Sequence, residues 1–206
     1  MSAILFTGNP GAGKTTAAKL VRTRLESRGV RAAVLDGDAL RQGKDFGFSE
    51  AGRLAAAMHA AQKTVALARR GIFPLVALVM PTRSIRAKFR SVVGDLAIVH
   101  CTADEKDLRA RRTELYTKAD AGLTEWVDYE VPDDACVRVN SSKANPLEIS
   151  LYILNRLEGK AQGVGDVVEE SIIAAVGSKL SNCGCNGRRL WANSAFRVDG
   201  RLAGLS

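Results

Sequence analysis

Eight residues near the N-terminus, Gly8 to Thr15, constrain the fold of this chain more than any other feature of its 206 residues. They read Gly-x-x-x-x-Gly-Lys-Thr, follow the apolar run Ala3 to Thr7 and precede a stretch of helical periodicity. Such a loop turns backbone N–H groups toward an anion, and the helix that follows adds the positive end of its dipole. The motif therefore predicts a phosphate-binding loop between the first strand and the first helix of a parallel α/β fold.

The residue types in this loop predict that the ligand is ATP with Mg²⁺. The ammonium group of Lys14 suits the β- and γ-phosphates, and the Thr15 hydroxyl is placed to ligate the metal ion. The sequence contains no Asn-Lys-x-Asp stretch of the kind that reads guanine, which favours ATP over GTP. The residues expected to hold the nucleotide are Gly8, Asn9, Gly11, Ala12, Gly13, Lys14, Thr15 and Thr16.

Apolar runs of strand length alternate with segments of helical periodicity through the first 158 residues. This alternation predicts an α/β fold, the P-loop NTPase three-layer sandwich, with a central parallel sheet and helices on both faces. The expected strands are Ala3–Thr7, Val30–Leu35, Phe73–Met80, Leu96–His100 and Val137–Val139. The expected helices are Thr15–Arg28, Glu50–Arg70, Ser84–Arg90, Asp104–Arg112 and Asn145–Leu157. We expect residues 1–158 to form one kinase domain, followed by an extension over residues 159–206 with one helix at Val167–Leu180 and an irregular tail.

Composition limits the location and the partners of the chain. It has no apolar run of the ~18–20 residues that cross a bilayer and no basic-then-apolar leader, so we expect no membrane partner and a cytoplasmic protein, in the host cytoplasm if the source is viral. The formal net charge of +8 favours anionic partners, either nucleotides or a polynucleotide. Cys183 and Cys185 resemble half of a metal site, but no neighbouring ligands complete it, so we assign them no role.

The second predicted strand ends in two carboxylates, Asp36 and Asp38. Ligands of an open parallel sheet bind beyond the carboxyl ends of its strands, which places both carboxylates near the terminal phosphate. One of them suits proton removal from an attacking hydroxyl, and the other suits Mg²⁺ together with Thr15. Arg41 follows one helical turn later and suits an anionic group of the acceptor. We therefore predict Lys14, Asp36 and Asp38 as catalytic residues.

From about Ala3 to Leu157 the sequence resembles the adenylylsulfate kinase family. That family combines a P-loop with Asp-Gly-Asp-x-x-Arg-x-Gly, Gly-Phe-Ser and a following Arg, Ser-Pro-x-Arg, and Tyr-Glu-x-Pro. The residues that carry the resemblance are Asp36-Gly37-Asp38, Arg41, Gly43, Gly47-Phe48-Ser49, Arg53, Pro81, Arg83, Leu115-Tyr116-x-Lys118-Ala119, Ala121-Gly122 and Tyr129-Glu130-Val131-Pro132.

The resemblance implies roles for several of these residues. Asp38 would be the base, Arg41 and Arg53 would contact the acceptor, and Phe48 would stack on the base of the acceptor. A lid over ATP would run from about residue 111 to residue 128. Four further cationic side chains are expected at the site. Arg111 and Arg112 would contact the nucleotide, and Arg83 and Lys118 would contact the acceptor. Neither His59 nor His100 is assigned a catalytic role.

Two segments depart from the family pattern. The family's Glu-Asn-Ile-Arg-Arg is replaced by the stretch Leu54–His59, and its Phe-Thr-Gly-Ile-Asp is replaced by Thr124–Asp128. Each lost partner of a buried anionic group costs about 1–3 kcal/mol, so we hypothesise that the acceptor differs from adenylylsulfate. The basic stretches Arg83–Arg90 and Arg188-Arg189 favour a nucleotide within DNA.

The main hypothesis from the sequence is therefore phosphoryl transfer to a hydroxymethylated pyrimidine, 5-hydroxymethyluracil in DNA, by analogy with bacteriophage enzymes of base modification. Two alternatives remain: a kinase for adenylylsulfate or another small molecule, and a nucleotide-binding module without turnover. A homodimer is compatible with the sequence.

Overall fold

A parallel five-stranded sheet forms the centre of the structure, a computed structural model that describes residues 2–43, 46–123 and 128–158. Its strands are β1 (Ala3–Thr7), β2 (Ala32–Asp36), β3 (Phe73–Ala77), β4 (Leu96–Thr102) and β5 (Val137–Asn140). The helices are α1 (Lys14–Glu26), α2 (Gly37–Arg41), α3 (Glu50–Arg69), α4 (Arg83–Val93), α5 (Glu105–Arg111), α6 (Thr113–Asp120) and α7 (Pro146–Glu158).

The strand order β2-β3-β1-β4-β5 places β1 in the middle of the sheet. The chain leaves β1 toward β2 and β3 on one side and then crosses to β4 and β5 on the other. Thr7, the last residue of β1, is in register with His100 of β4. Because the direction of winding reverses at β1, a crevice opens at its carboxyl end, where sheets of this kind bind ligands.

Helices cover both faces of the sheet because alternate residues of the buried strands point to opposite sides. Ile4 and Phe6 of β1 pack with α1 and α7, where Tyr152 is among the largest buried side chains. Leu5 faces the other way and packs with α3 and α4, including Phe89. The predicted α/β sandwich with a parallel sheet is therefore confirmed.

Several boundaries differ from the prediction for local reasons. The predicted helix over residues 104–112 ends at Arg111, because Arg112 has φ −138° and ψ 43° and starts a new direction for α6. The short α2 begins after Asp36, whose carboxylate accepts hydrogen bonds from the backbone N–H groups of Asp38 and Ala39. This capping interaction is typical of an aspartate at a helix N-terminus.

The prediction of no membrane segment is consistent with the helices of residues 2–43, 46–123 and 128–158, none of which is long and apolar enough to cross a bilayer. The predicted extension over 159–206, with its helix and with Cys183 and Cys185, lies outside the described residues. So do residues 124–127 of the replaced segment Thr124–Asp128. The domain boundary at residue 158 stays a prediction.

Candidate active site

A cavity of about 500 Å³ lies at the carboxyl ends of the strands. Small-molecule sites commonly have volumes of ~300–1,000 Å³. The cavity brings together predicted residues from five separate segments of the chain. Those that line it are Gly11, Ala12, Gly13, Lys14, Thr15, Thr16, Asp36, Asp38, Arg41, Phe48, Arg53, Arg111 and Arg112.

The glycine-rich loop passes against β4 at Gly8. A Cβ atom built on Gly8 would lie 1.9 Å from the carbonyl oxygen of Cys101, and the φ angle of Gly8 is 148°. Gly13, with φ 84°, caps the N-terminus of α1 in the left-handed conformation. Both positions require glycine, because a side chain would clash at the first and strain the backbone at the second. The close approach of Gly8 to Cys101 of β4 holds the glycine-rich loop over the N-terminus of α1.

Lys14 folds back over the loop. Its Nζ atom donates hydrogen bonds to the carbonyl oxygens of Gly8 at 3.0 Å and Asn9 at 2.8 Å. Burial, with the nearby Arg112 guanidinium as a smaller cause, lowers the pKa of Lys14 to about 8. Carbonyl dipoles compensate a buried ammonium group less well than anionic oxygens do. A phosphate group in the cavity would therefore improve the environment of this charge.

Thr15 and Asp36 are joined across the cavity floor. The Thr15 hydroxyl donates to Asp36 Oδ2 at 2.5 Å, while Oδ1 of the same carboxylate caps α2. A hydroxyl oxygen beside a carboxylate oxygen matches the hard oxygen ligands that Mg²⁺ prefers. No group of three or more His, Cys, Asp or Glu side chains with metal-binding geometry occurs in the described part of the chain. The pair thus fits an ion that arrives with phosphate oxygens and water, and not a protein cage.

Asp38 faces the cavity from the start of α2. Its Oδ2 atom accepts a hydrogen bond from Arg112 Nη2 at 2.9 Å. Both side chains are more than half exposed, so this ion pair contributes little to stability. The contact places an arginine of the α5–α6 junction, which follows β4, beside a carboxylate of α2, which follows β2.

Arg111 connects the glycine-rich loop with the segment that follows β5. Its Nη1 atom donates to the carbonyl oxygen of Gly11 at 3.1 Å and to Ser141 Oγ at 2.7 Å. Arg111 and Arg112 therefore both line the cavity, but Arg111 contacts the glycine-rich loop and Arg112 contacts Asp38. Two guanidinium groups at one edge make that edge strongly attractive to an anion.

Phe48 lies at the mouth of the cavity with two arginines near its ring. The guanidinium carbon of Arg41 is 4.9 Å from the ring centroid, and that of Arg53 is 5.8 Å away. Arg41 donates to the carbonyl oxygen of Gly47, and Arg53 Nε donates to that of Phe48. Burial lowers the pKa of Arg41 from its ordinary value. Phe48 is 47% exposed and presents an aromatic surface next to two cations.

Four predicted site residues do not line this cavity. Gly8 contributes its carbonyl oxygen to Lys14. Asn9 lies against a second depression behind α5 and α6. Lys118 pairs with Glu114 on the exposed side of α6 at 2.6 Å. Arg83 pairs with Asp133 at 2.7 Å, away from the cavity, so the sequence pattern did not give its orientation.

The basic stretch over residues 83–90 is largely neutralised within the fold. Besides the Arg83 pair, Arg90 pairs with Asp134 at 2.7 Å. Arg86 is only 4% exposed and donates to the carbonyl oxygens of Met80 and Pro81. A surface that binds DNA presents free cations to the phosphates, whereas Arg86 is buried and Arg83 and Arg90 are paired with carboxylates.

Two tyrosines contact the glycine-rich loop or the end of β1 that leads into it, and sequence reasoning gave neither a role. The Tyr116 hydroxyl of α6 donates to the carbonyl oxygen of Pro10 in the glycine-rich loop at 3.0 Å. The Tyr129 hydroxyl donates to Thr7 Oγ1 at 3.1 Å. Both tyrosines stood within the motifs that carried the family resemblance, which was the available signal.

Comparisons with known proteins agree with this geometry. The family model described as Adenylylsulphate kinase matches residues 1–140. An adenylyl-sulfate kinase of Burkholderia ambifaria is 31% identical over 170 residues, which cover 75% of this chain and 91% of that protein. The structure of the Mycobacterium tuberculosis APS kinase CysC in complex with AMPPNP and APS aligns with a TM-score of 0.68 and 32% identity, covering 76% of this chain and 96% of that one.

The chain also matches part of a longer protein. It is 32% identical over 163 residues to a probable bifunctional SAT/APS kinase of Sorangium cellulosum. The match covers 75% of this chain but only 28% of that relative, so the chain spans about a quarter of its length.

These findings overturn the hypothesis of 5-hydroxymethyluracil in DNA as the acceptor, which is wrong. The matching relatives are kinases of adenylylsulfate, and the arginines of the stretch over residues 83–90 are buried or paired with Asp133 and Asp134. Arg188-Arg189 lie outside the described residues. Within the replaced stretch Leu54–His59, Ala57 packs into the core between α3 and α4, and Leu54 and Met58 pack against it, while Ala55 is exposed. The chain belongs to the adenylylsulphate kinase family of ATP-dependent kinases.

Proposed function

We propose that this protein transfers the γ-phosphoryl group of ATP to a hydroxyl of adenylylsulfate. The observation that carries the proposal is one cavity with two different ends. The glycine-rich loop and Lys14 lie at one end, and Phe48 with Arg41 and Arg53 lies at the other. Asp38 also lines this cavity. The first end suits a triphosphate, and the second suits a nucleotide with an additional anionic group.

At the nucleotide end, backbone N–H groups of the loop and the N-terminus of α1 would hold the phosphates. Lys14 would exchange the carbonyl oxygens of Gly8 and Asn9 for phosphate oxygens. Thr15 and Asp36 would hold Mg²⁺, which supplies charge stabilisation on the β- and γ-phosphate oxygens when it is bound.

The transfer step then needs a base and stabilisation of charge. Asp38 would accept the proton of the attacking hydroxyl as the new O–P bond forms and the bond between the γ-phosphorus and the bridging oxygen breaks, with ADP as the leaving group. Arg112 is within hydrogen-bond reach of Asp38 and would move to the transferring phosphoryl oxygens. The base would thereby lose its cationic partner when the triphosphate is present.

At the acceptor end, the adenine of adenylylsulfate would stack on Phe48. Stacking of a base on an aromatic ring contributes about 1–3 kcal/mol. Arg41 and Arg53 would face the phosphate–sulfate anhydride, because guanidinium groups bind planar arrays of anionic oxygens. This assignment needs no contribution from the alanine-rich part of α3, whose Ala56 and Ala57 are buried.

The direct test uses γ-labelled ATP, Mg²⁺ and adenylylsulfate, with the wild-type protein and the Lys14→Ala variant. We expect label on adenylylsulfate with the wild type and none with the variant. Binding of AMPPNP without any transfer to adenylylsulfate would refute the acceptor and support a nucleotide-binding module. The cytoplasmic location and the homodimer remain predictions, and light scattering after gel filtration tests the second.

A further inference from the structure

Tyr129 lies outside the cavity, yet its side chain reaches the strand that leads into the glycine-rich loop. Its hydroxyl donates to Thr7 Oγ1 at 3.1 Å, and its ring stacks on His100 with centroids 5.5 Å apart and planes 8° from parallel. The guanidinium carbon of Arg86 lies 5.8 Å from the ring centroid. Thr7 and His100 are register partners on β1 and β4, so the tyrosine covers the carboxyl ends of two adjacent strands.

Thr7 is the residue through which this contact could influence nucleotide binding. Its side chain is fully buried, and its hydroxyl also accepts a hydrogen bond from the backbone N–H of Met80 at 3.4 Å. Gly8 follows directly and offers its carbonyl oxygen to Lys14. Met80 follows Leu78 and Val79, which line the cavity. One hydroxyl thus ties together the start of the phosphate loop and the segment that leaves β3.

The backbone that carries Tyr129 is itself held in place. The N–H of Glu130 donates to the carbonyl oxygen of Pro81 at 2.8 Å. Arg138 of β5 donates to the carbonyl oxygen of Pro132 at 3.0 Å. Two hydrogen bonds therefore fix the backbone on the C-terminal side of Tyr129, one at Glu130 and one at Pro132.

The protonation states of the cluster are constant across the neutral range. Burial raises the pKa of Tyr129 to about 12, so its hydroxyl remains a donor. Burial, together with the guanidinium groups of Arg138 and Arg86, lowers the pKa of His100 to about 4, so its imidazole remains neutral. The contact between Tyr129 and Thr7 thus acts as a fixed constraint and not as a switch in this range.

We propose that Tyr129 is a positioning residue of the nucleotide site, which acts through the Thr7 hydroxyl to fix the first turn of the phosphate loop under Lys14. Loss of the hydroxyl leaves Thr7 buried with one partner fewer, and the loop gains freedom that nucleotide binding must then remove. The proposal rests on the proposed use of ATP, but it does not depend on the identity of the acceptor.

The test measures the dissociation constant of AMPPNP with Mg²⁺ by calorimetry. We expect Tyr129→Phe and Thr7→Val each to raise it by about five-fold, the effect of one hydrogen bond, and the double variant to be no weaker than the weaker single variant. Thr7→Ser keeps the hydroxyl and should bind within two-fold of wild type. Thr64→Val is the matched control, because Thr64 is equally buried but its hydroxyl bonds only within α3, to Ala60.

A dissociation constant for Tyr129→Phe within two-fold of wild type would overturn the proposal, even if Thr7→Val fails to fold. Equal weakening by Thr64→Val would also overturn it, since the effect would then reflect general loosening. The proposal would also be overturned if the fold-changes in the dissociation constant for the two single variants multiplied in the double variant. Failure of the wild-type protein to bind AMPPNP would refute the use of ATP itself, which is a separate result.

Discussion

Lys14 carries a positive charge that the folded chain alone stabilises poorly. Its partners are two backbone carbonyl oxygens, and burial lowers its pKa from 10.5 to about 8. Sites that bind anions commonly keep such a charge in place at the expense of stability. The same lysine should therefore destabilise the protein without nucleotide and stabilise it with nucleotide.

We predict that Lys14→Met makes the nucleotide-free protein more stable at pH 7, on the order of 2 kcal/mol in the free energy of unfolding. Between pH 8 and pH 10.5 the unfolded state holds the lysine proton and the folded state does not. Wild-type stability should thus rise relative to the variant across this window, until the difference vanishes. Denaturant unfolding at several pH values checks this. A difference that does not change with pH would contradict it.

Asp38 is the second residue whose chemistry is open to a direct test. We predict that Asp38→Asn lowers kcat for adenylylsulfate by about 10²–10⁴-fold, because an amide cannot accept the proton of the hydroxyl. The affinity for AMPPNP should stay within a few-fold of wild type, since Lys14 and the loop are unchanged. Steady-state kinetics and calorimetry separate the two effects.

The matched control for that variant is Glu26→Gln. Glu26 also forms an exposed ion pair with an arginine, Arg22, at 3.2 Å, but it lies at the C-terminal end of α1. Its replacement should leave kcat unchanged within about two-fold, because exposed ion pairs contribute little. If Asp38→Asn behaves like Glu26→Gln, Asp38 is not the base.

At the scale of elements, the alanine-rich face of α3 determines how closely it packs on α4. Ala57, Ala60 and Ala61 are fully buried against this helix and its Phe89. Side chains this small let two helices approach closely, and there is little room for more atoms. Of the stretch Leu54–His59 that the sequence analysis took as a changed acceptor surface, Ala57 therefore belongs to a packing surface, whereas Ala55 is exposed.

We predict that Ala60→Leu lowers the free energy of unfolding by about 1–3 kcal/mol, because it overfills the contact between α3 and α4. Ala66→Leu is the control on the exposed side of the same helix and should change stability by less than about 0.5 kcal/mol. Thermal unfolding of both variants checks this. Equal stability of the two variants would show that the contact between α3 and α4 can accommodate a larger side chain.

Particular elements explain which features the sequence could predict. β1 and the glycine-rich loop were predictable because a buried apolar run and fixed glycine spacing are local signals. The break between α5 and α6 at Arg112 was not predicted, because neither proline nor glycine marks it. The partners of Arg83 and Tyr129 could not be predicted, because Asp133 and Thr7 lie about 50 and 122 positions away in the sequence.

At the scale of the whole molecule, the question is how much of the chain forms the cooperative unit. The last described helix, α7, is part of the core: Ile149, Tyr152, Ile153, Leu154 and Leu157 are all buried. Its last residue, Glu158, forms an ion pair with Arg28 just beyond α1. Each large apolar side chain contributes about 1.5–3 kcal/mol on burial, so the helix as a whole accounts for an energy comparable to the net stability of a domain.

We therefore predict that residues 1–158 alone unfold cooperatively and bind AMPPNP with the affinity of the full chain, whereas residues 1–145, which lack α7, do not fold. The cut at 158 retains every buried side chain of α7 and its ion pair, and the cut at 145 exposes the surface of α1 and β5 on which α7 packs. Calorimetric unfolding and nucleotide titration of the two fragments check this. If the 1–158 fragment lost its cooperative transition, residues 159–206 would belong to the same folding unit, and the domain boundary inferred from composition would be wrong.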